Sequence, residues 1–375
     1  MMHKITFFIL VLFFARSNAQ ELIIPYENPF GMPVVNVSVN GSMHQFVFDT
    51  GAYKTVINSQ VFSGLSISSK IDDVGGINSV RKSMDQVKFS FNFLDKQFDK
   101  EVIYTDLSML SEFNCTNSTI SGIIGRDVME DYIIEINPDK KELIFYNPSS
   151  FNEDKIADFT KIKLRKSNNP RFHVKIGKQG RYVLFDTGSA GKLRISDYKL
   201  DQYIKTTKHI AYKKKGSSWG IHGFNNKEDV IHTIYNAEVQ IGKLKIENQT
   251  VETSRNDLNN MGFGFISQFI SYLDLKGKKL YLKQIGKDYI SETPLKNLGF
   301  YTRYDSEKKK THIVSLSTKN NQLKLGDHII SINGEKPPVN NCEMYSFLQK
   351  FYNIPLKIKL ERENKVIEIA QSVQN

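Results

Sequence analysis

Phe46-Val47-Phe48-Asp49-Thr50-Gly51 and Tyr182-Val183-Leu184-Phe185-Asp186-Thr187-Gly188 carry one device twice: an apolar strand that runs into Asp-Thr-Gly. A single Asp-Thr-Gly is an ordinary tight turn, since Asp and Gly both suit reversals. Two copies at the ends of matching strands present two carboxylates on matching turns. Like charges a few ångströms apart do not both ionise, so such a pair comes to share one proton. One carboxylate can then deprotonate a water while its partner donates to a carbonyl oxygen.

More than the tripeptide is repeated. After the first copy come Gly122-Ile123-Ile124-Gly125-Arg126-Asp127, the apolar run Asp131 to Ile136, a turn at Asn137-Pro138-Asp139, and Leu143 to Tyr146. After the second come Gly262-Phe263-Gly264-Phe265, Tyr272 to Leu275, a turn at Lys276-Gly277-Lys278, and Leu280 to Leu282. The gap from Asp49 to Gly125 is 76 residues and that from Asp186 to Gly264 is 78 (125 − 49 and 264 − 186). Such agreement in order and spacing points to an internal duplication. Between each Asp and its apolar-Gly element lies a glycine-rich hairpin candidate, Gly75-Gly76 in the first unit and Gly220 with Gly223 in the second. Glycines suit the turns of a mobile β-hairpin tip, so each is a flap candidate.

The first unit resembles one subunit of a retroviral-type aspartic protease, on Phe48-Asp49-Thr50-Gly51-Ala52, the Gly-Gly flap and Ile123-Ile124-Gly125-Arg126-Asp127. The second, with Phe185-Asp186-Thr187-Gly188-Ser189, is similar but more diverged, and the pair resembles the bilobal pepsin-like arrangement. The resemblance implies an all-β fold of two β-barrel lobes and an endopeptidase with Asp49 and Asp186 as the catalytic pair. It also implies that Thr50 and Thr187 tie the loops together through backbone, that Gly51 and Gly188 permit the turns, and that no metal or organic cofactor is needed. Two departures stand out. Tyr53 and Lys54 occupy the place where an Asp partner of Arg126 would stand, and Phe265 replaces that Arg in the second unit, so the loop support must be built differently. Ala52 follows the first motif and Ser189 the second, and a Ser189 hydroxyl donating to Asp186 would make Asp186 the ionised partner and Asp49 the proton carrier.

Met1 to Ala19 has a positive start, the short apolar run Ile5 to Phe14 and a small-x-small exit at Ser17-Asn18-Ala19, the pattern of a secretory signal peptide. That run is too short to span a bilayer, which takes about 20 apolar residues. No later transmembrane candidate follows, so an exported, periplasmic or secreted protein is expected. Residues 20–150 then read as the first lobe, 151–285 as the second, and 286–375 as a separate module. The two cysteines, Cys115 and Cys342, fall in different proposed domains, so no disulfide is expected, and this sparing use of cysteine fits a bacterial periplasm or outer surface. Five Asn-x-Ser/Thr sequons, at Asn36, Asn40, Asn114, Asn117 and Asn248, are a chance expectation in a chain so rich in Asn and Ser.

The formal charge is +11, falling to +9 without Lys4 and Arg16, and its lysine clusters sit in polar segments. That is a solvated surface, without the aromatic-basic interleaving of a nucleic-acid face. His209, His222 and His232 form no paired metal-ligand motif. In the tail, Leu325-Gly326-Asp327-His328 to Ile332 and the Asn333-Gly334 turn resemble a PDZ domain. Leu298-Gly299-Phe300 resembles its carboxylate-binding loop, and Met344, Phe347, Leu348 and Phe351 have the spacing of a helix lining the groove. The resemblance implies capture of a peptide C-terminus by strand addition. A peptide or protein substrate is the expected partner of the lobes. The alternative from another class is an inactive peptide-binding scaffold that works through the tail.

Overall fold

The computed structural model describes residues 21–375 except 77–79, 112–114, 116–118, 168, 197–203, 206, 217–218, 255–258, 287–296 and 373–375. The proposed signal peptide therefore lies outside the described residues, as do the sequons' Asn114 and Asn117. Among the described residues no helix is long and apolar enough to cross a membrane.

Strand alternation in the sequence becomes two closed barrels. Val34–Val39 buries every second residue, and in the neighbouring strand Ser42–Phe48 both Phe46 and Phe48 are fully buried. The first barrel runs Val34–Val39, Ser42–Phe48, Ile120–Ile124, Val56–Asn58, Lys96–Thr105, Arg81–Phe93, and closes where Ser38 faces Asn92. The second runs Arg171–Ile176, Gln179–Asp186, Asn260–Gly262, Leu193–Ser196, Leu244–Ser254, Asp229–Ile241, and closes where the first and last of these pair. Both are six-stranded with the same strand order, so the fold is all-β and two-barrelled, as the sequence implies.

A six-stranded sheet joins them, three strands from each half, with Ile133–Asn137 beside Phe269–Asp274 at its centre. Buried in it, Glu135 accepts hydrogen bonds from the Tyr146 and Tyr272 hydroxyls, both at 2.7 Å. That satisfies a carboxylate that would otherwise be costly to bury.

The tail packs five strands and the helix Met344–Gln349 around a core of its own. Asn333 and Gly334 both take positive φ, at 49° and 83°, as the Asn-Gly turn requires. Its strand Lys310–Ser317 pairs antiparallel with His209–Lys214, which in turn pairs with the barrel strand Asp229–Ile241, so the two sheets are continuous. Cys115 and Cys342 are joined in a disulfide. This corrects the expectation that they stay unpaired. The chain separation of 227 residues conceals that the segment after Thr105 and the one before Met344–Gln349 meet in space.

Candidate active site

Asp49 follows the strand Ser42–Phe48, and Asp186 ends the strand Gln179–Asp186; each strand is paired in parallel with the strand before a short helix. Asp49 N–H donates to Ile124 O at 3.1 Å, and Asp186 lies opposite Gly262 in the second barrel. The true counterpart of Gly125 is thus Gly262, not Gly264, and both gaps are 76 residues (125 − 49 and 262 − 186). Phe263 accordingly takes the place of Arg126: Arg126 N–H donates to Ala52 O at 2.9 Å and Phe263 N–H to Ser189 O at 2.6 Å.

The two loops are locked to each other. Thr50 Oγ1 donates to Phe185 O at 2.8 Å and accepts from Thr187 N–H at 3.1 Å. Thr187 Oγ1 donates to Phe48 O at 2.6 Å and accepts from Thr50 N–H at 3.0 Å. Both threonines are fully buried, so all four bonds are sheltered from competing water. A Cβ at Gly51 would sit 2.6 Å from Asp186 Oδ1, and one at Gly188 would collide with the Asp49 carboxylate. Each glycine therefore makes room for the opposite carboxyl group, and the two carboxyls hydrogen-bond each other.

Arg126 and Asp127 support the first loop from behind. Arg126 Nε donates to Ala52 O at 3.3 Å, and its NH2 group donates to Asn169 Oδ1 across the lobe boundary at 2.7 Å. Asp127 Oδ1 accepts from Thr55 N–H at 2.9 Å and from Thr55 Oγ1 at 2.8 Å.

The carboxyls are not equivalent. Burial raises Asp49, but Ala52 and Gly51 N–H, at 3.0 and 2.7 Å from Oδ1, and the Arg126 charge hold the rise down. Burial, then the negative charge of Asp49, pushes Asp186 well above the usual carboxylate range, opposed by Asn260 Nδ2 at 3.1 Å. Proton affinity is thus raised further at Asp186 than at Asp49, the opposite of the order that a Ser189 hydroxyl donating to Asp186 would give. The side chain that donates to Asp186 is Asn260, while Ser189 is placed by its backbone, with N–H 3.4 Å from Asp186 O. Asn260 escaped the sequence reading because its counterpart, Ile123, is apolar; only the corrected register aligns them.

Gly75 ends the strand Ile67–Gly75, and Gly76 N–H donates to Val80 O at 3.0 Å; the tip at 77–79 lies outside the described residues. In the second lobe Gly220 pairs with Gly223, which adopts φ +95°. The two hairpins meet across the lobes. His222 Nε2 donates to Val74 O at 2.7 Å, and Ile221 packs into the apolar cluster that includes Val74.

Leu298 and Phe300 are buried in the tail's own core with Met344, Phe347 and Leu348. Gly299, at φ +74°, accepts at its carbonyl from Ser317 N–H at 2.7 Å. Asn341 bonds both the N–H and the O of Tyr304, at 2.9 and 3.1 Å, on the strand Phe300–Asp305.

Residues 31–137 match the family model of the retroviral aspartyl protease, a span that holds Asp49-Thr50-Gly51 and Gly125. No curated protein matches the chain.

Proposed function

We propose that the protein is an aspartic endopeptidase whose single chain supplies both halves of the catalytic pair. The observation that carries this reading is the reciprocal Thr50–Thr187 lock, which sets the two carboxyls face to face in a buried site. The family match of the first lobe supports the same chemistry.

Ionised Asp49 takes a proton from a water held between the carboxyls as the water oxygen bonds to the peptide carbonyl carbon. Protonated Asp186 gives its proton to the carbonyl oxygen, forming a neutral gem-diol. On collapse, Asp49 returns its proton to the departing amide nitrogen, the C–N bond breaks, and a diol hydroxyl re-protonates Asp186. The pair ends as it began.

The test is hydrolysis of a denatured protein or peptide library by wild type, Asp49→Asn and Asp186→Asn. Cleavage by wild type alone, blocked by a statine-type inhibitor, is expected. Wild type inert from acidic to neutral pH, or activity retained in either variant, defeats the reading.

Export belongs to the same proposal, supported by the pattern of residues 1–19 and by the disulfide, which persists in oxidising compartments. N-terminal sequencing of the mature protein should begin at Gln20. The tail as a PDZ-like peptide-binding module is supported by the turn at Gly299 beside Phe300–Asp305. Asn341 satisfies that strand at Tyr304, so an added peptide must pair nearer Phe300. Equal affinity for free-acid and amidated peptides excludes carboxylate capture.

A further inference from the structure

The two barrels present chemically unlike walls beside the carboxyl pair. In the first, Val56 faces Ile123 across paired strands. Val56 is buried in the apolar cluster that includes Val47 and the hairpin residue Val74, and Ile123 packs against that cluster while staying partly exposed. In the second barrel the same strand pairing sets Arg194 opposite Asn260, and the row continues to Glu252 on the next strand.

This second row is polar throughout. Asn260 reaches Asp186, Arg194 Nε donates to Glu252 Oε2 at 2.9 Å, and the Tyr212 hydroxyl donates to Glu252 Oε1 at 3.0 Å. The guanidinium lies against the loop that follows Asp186, since a Cβ at Gly191 would be 3.6 Å from Arg194 Nε. The Arg194 and Glu252 side chains are 21% and 25% exposed, recessed but in reach of solvent. Burial pushes Glu252 up, yet Arg194 and Lys214 outweigh it and hold the carboxyl below its usual range. Moving away from Asp186, the order is amide, guanidinium, carboxylate. A substrate side chain on this side meets the cation before it meets the anion.

We propose that Arg194 is a specificity-determining residue, and that the cleft takes an acidic side chain against the second-lobe wall and an apolar one against the first. The guanidinium fork suits a carboxylate, which it binds through paired N–H groups. Ile123, backed by buried Val56, offers only dispersion and burial, which reward an aliphatic or aromatic residue. The bond cut is then one flanked by an apolar and an acidic residue. This specificity rests on the endopeptidase reading.

The test uses internally quenched peptides with Phe on one side of the scissile bond and Glu, Gln, Leu or Lys on the other, in both orders. Assays run at about pH 6, where a peptide glutamate is ionised. Wild type should favour Glu over Leu by about tenfold or more in kcat/KM, about 1.4 kcal/mol, with Lys poorest. Arg194→Met should invert the order of Glu and Leu, and Arg194→Lys should keep it at reduced ratio. Thermal melts identify a variant that fails to fold, and the double exchange Arg194→Glu/Glu252→Arg, which keeps the ion pair, then reads the same position: its preference should weaken. A wild-type preference for Leu, or a Glu preference unchanged in a folded Arg194 variant, overturns the proposal. If no peptide is cut, fluorescence anisotropy of the same peptides separates the two readings. Glu-over-Leu binding that vanishes in Arg194→Met upholds the wall and rejects the hydrolase, whereas binding without discrimination rejects the wall as well.

Discussion

At the residue scale, the asymmetry of the carboxyl pair sets the pH behaviour. Asn260 lowers the raised proton affinity of Asp186 by donating to it. Replacing it by Leu, close to the Ile123 of the first lobe, should move the alkaline limb of the rate profile up by about one pH unit and leave the acidic limb in place. Ser189→Ala should leave both limbs unmoved, because Asn260 holds the position that Ser189 was expected to fill. The pair also bears on stability. A carboxyl whose folded pKa is raised contributes its full stabilisation below its ordinary value of 3.8, and that advantage is lost progressively as pH rises through the shifted value. Asp186→Asn should therefore raise the melting temperature at neutral pH while abolishing activity, and the gain should vanish near pH 3. An equal gain at both ends of that range argues against a proton held on Asp186.

At the element scale, the two hairpins are held to each other. Ile221 and His222 anchor the second on the first, through an apolar contact and a bond to Val74 O. Ile221→Ser forfeits about 1–2 kcal/mol of burial, which corresponds to about a tenfold rise in local opening. Hydrogen exchange at the Gly76 and Gly220–Phe224 amides should quicken by that factor while the barrel strands hold. Unchanged exchange there means the hairpins move independently. The sequence located these hairpins through their glycines, but not their meeting, because Ile221 and Val74 lie in different repeat units and no local pattern records which apolar residues pack together.

For the whole molecule, the tail is anchored on both lobes. It extends the sheet of the second barrel at His209–Lys214 and is bonded to the first lobe through Cys115. Arg303 completes the grip, donating to Gly216 O at 2.8 Å and lying 3.5 Å over the Phe224 ring at the base of the second hairpin. Closing so long a loop restricts the unfolded chain, so Cys115→Ser and Cys342→Ser should each cost about 2–4 kcal/mol. Reduced wild type should melt with them. A reduced protein that melts with the oxidised one shows that the disulfide adds nothing to the strand pairing.

The sequence by itself determined the duplication, the all-β character and the two Asp-Thr-Gly turns, because each is written locally: alternating apolar residues make strands, and Asp-Thr-Gly needs only its own few residues to form a turn. Only the tertiary structure decided which glycine answers Gly125, that Asn260 donates to Asp186, and that Cys115 meets Cys342. Those depend on register and on neighbours far apart in the chain. A shift of two residues in pairing exchanges Gly264 for Gly262 and brings the Asn260 side chain onto Asp186; the equal gap of 76 residues fits this register, but only the strand pairing shows it.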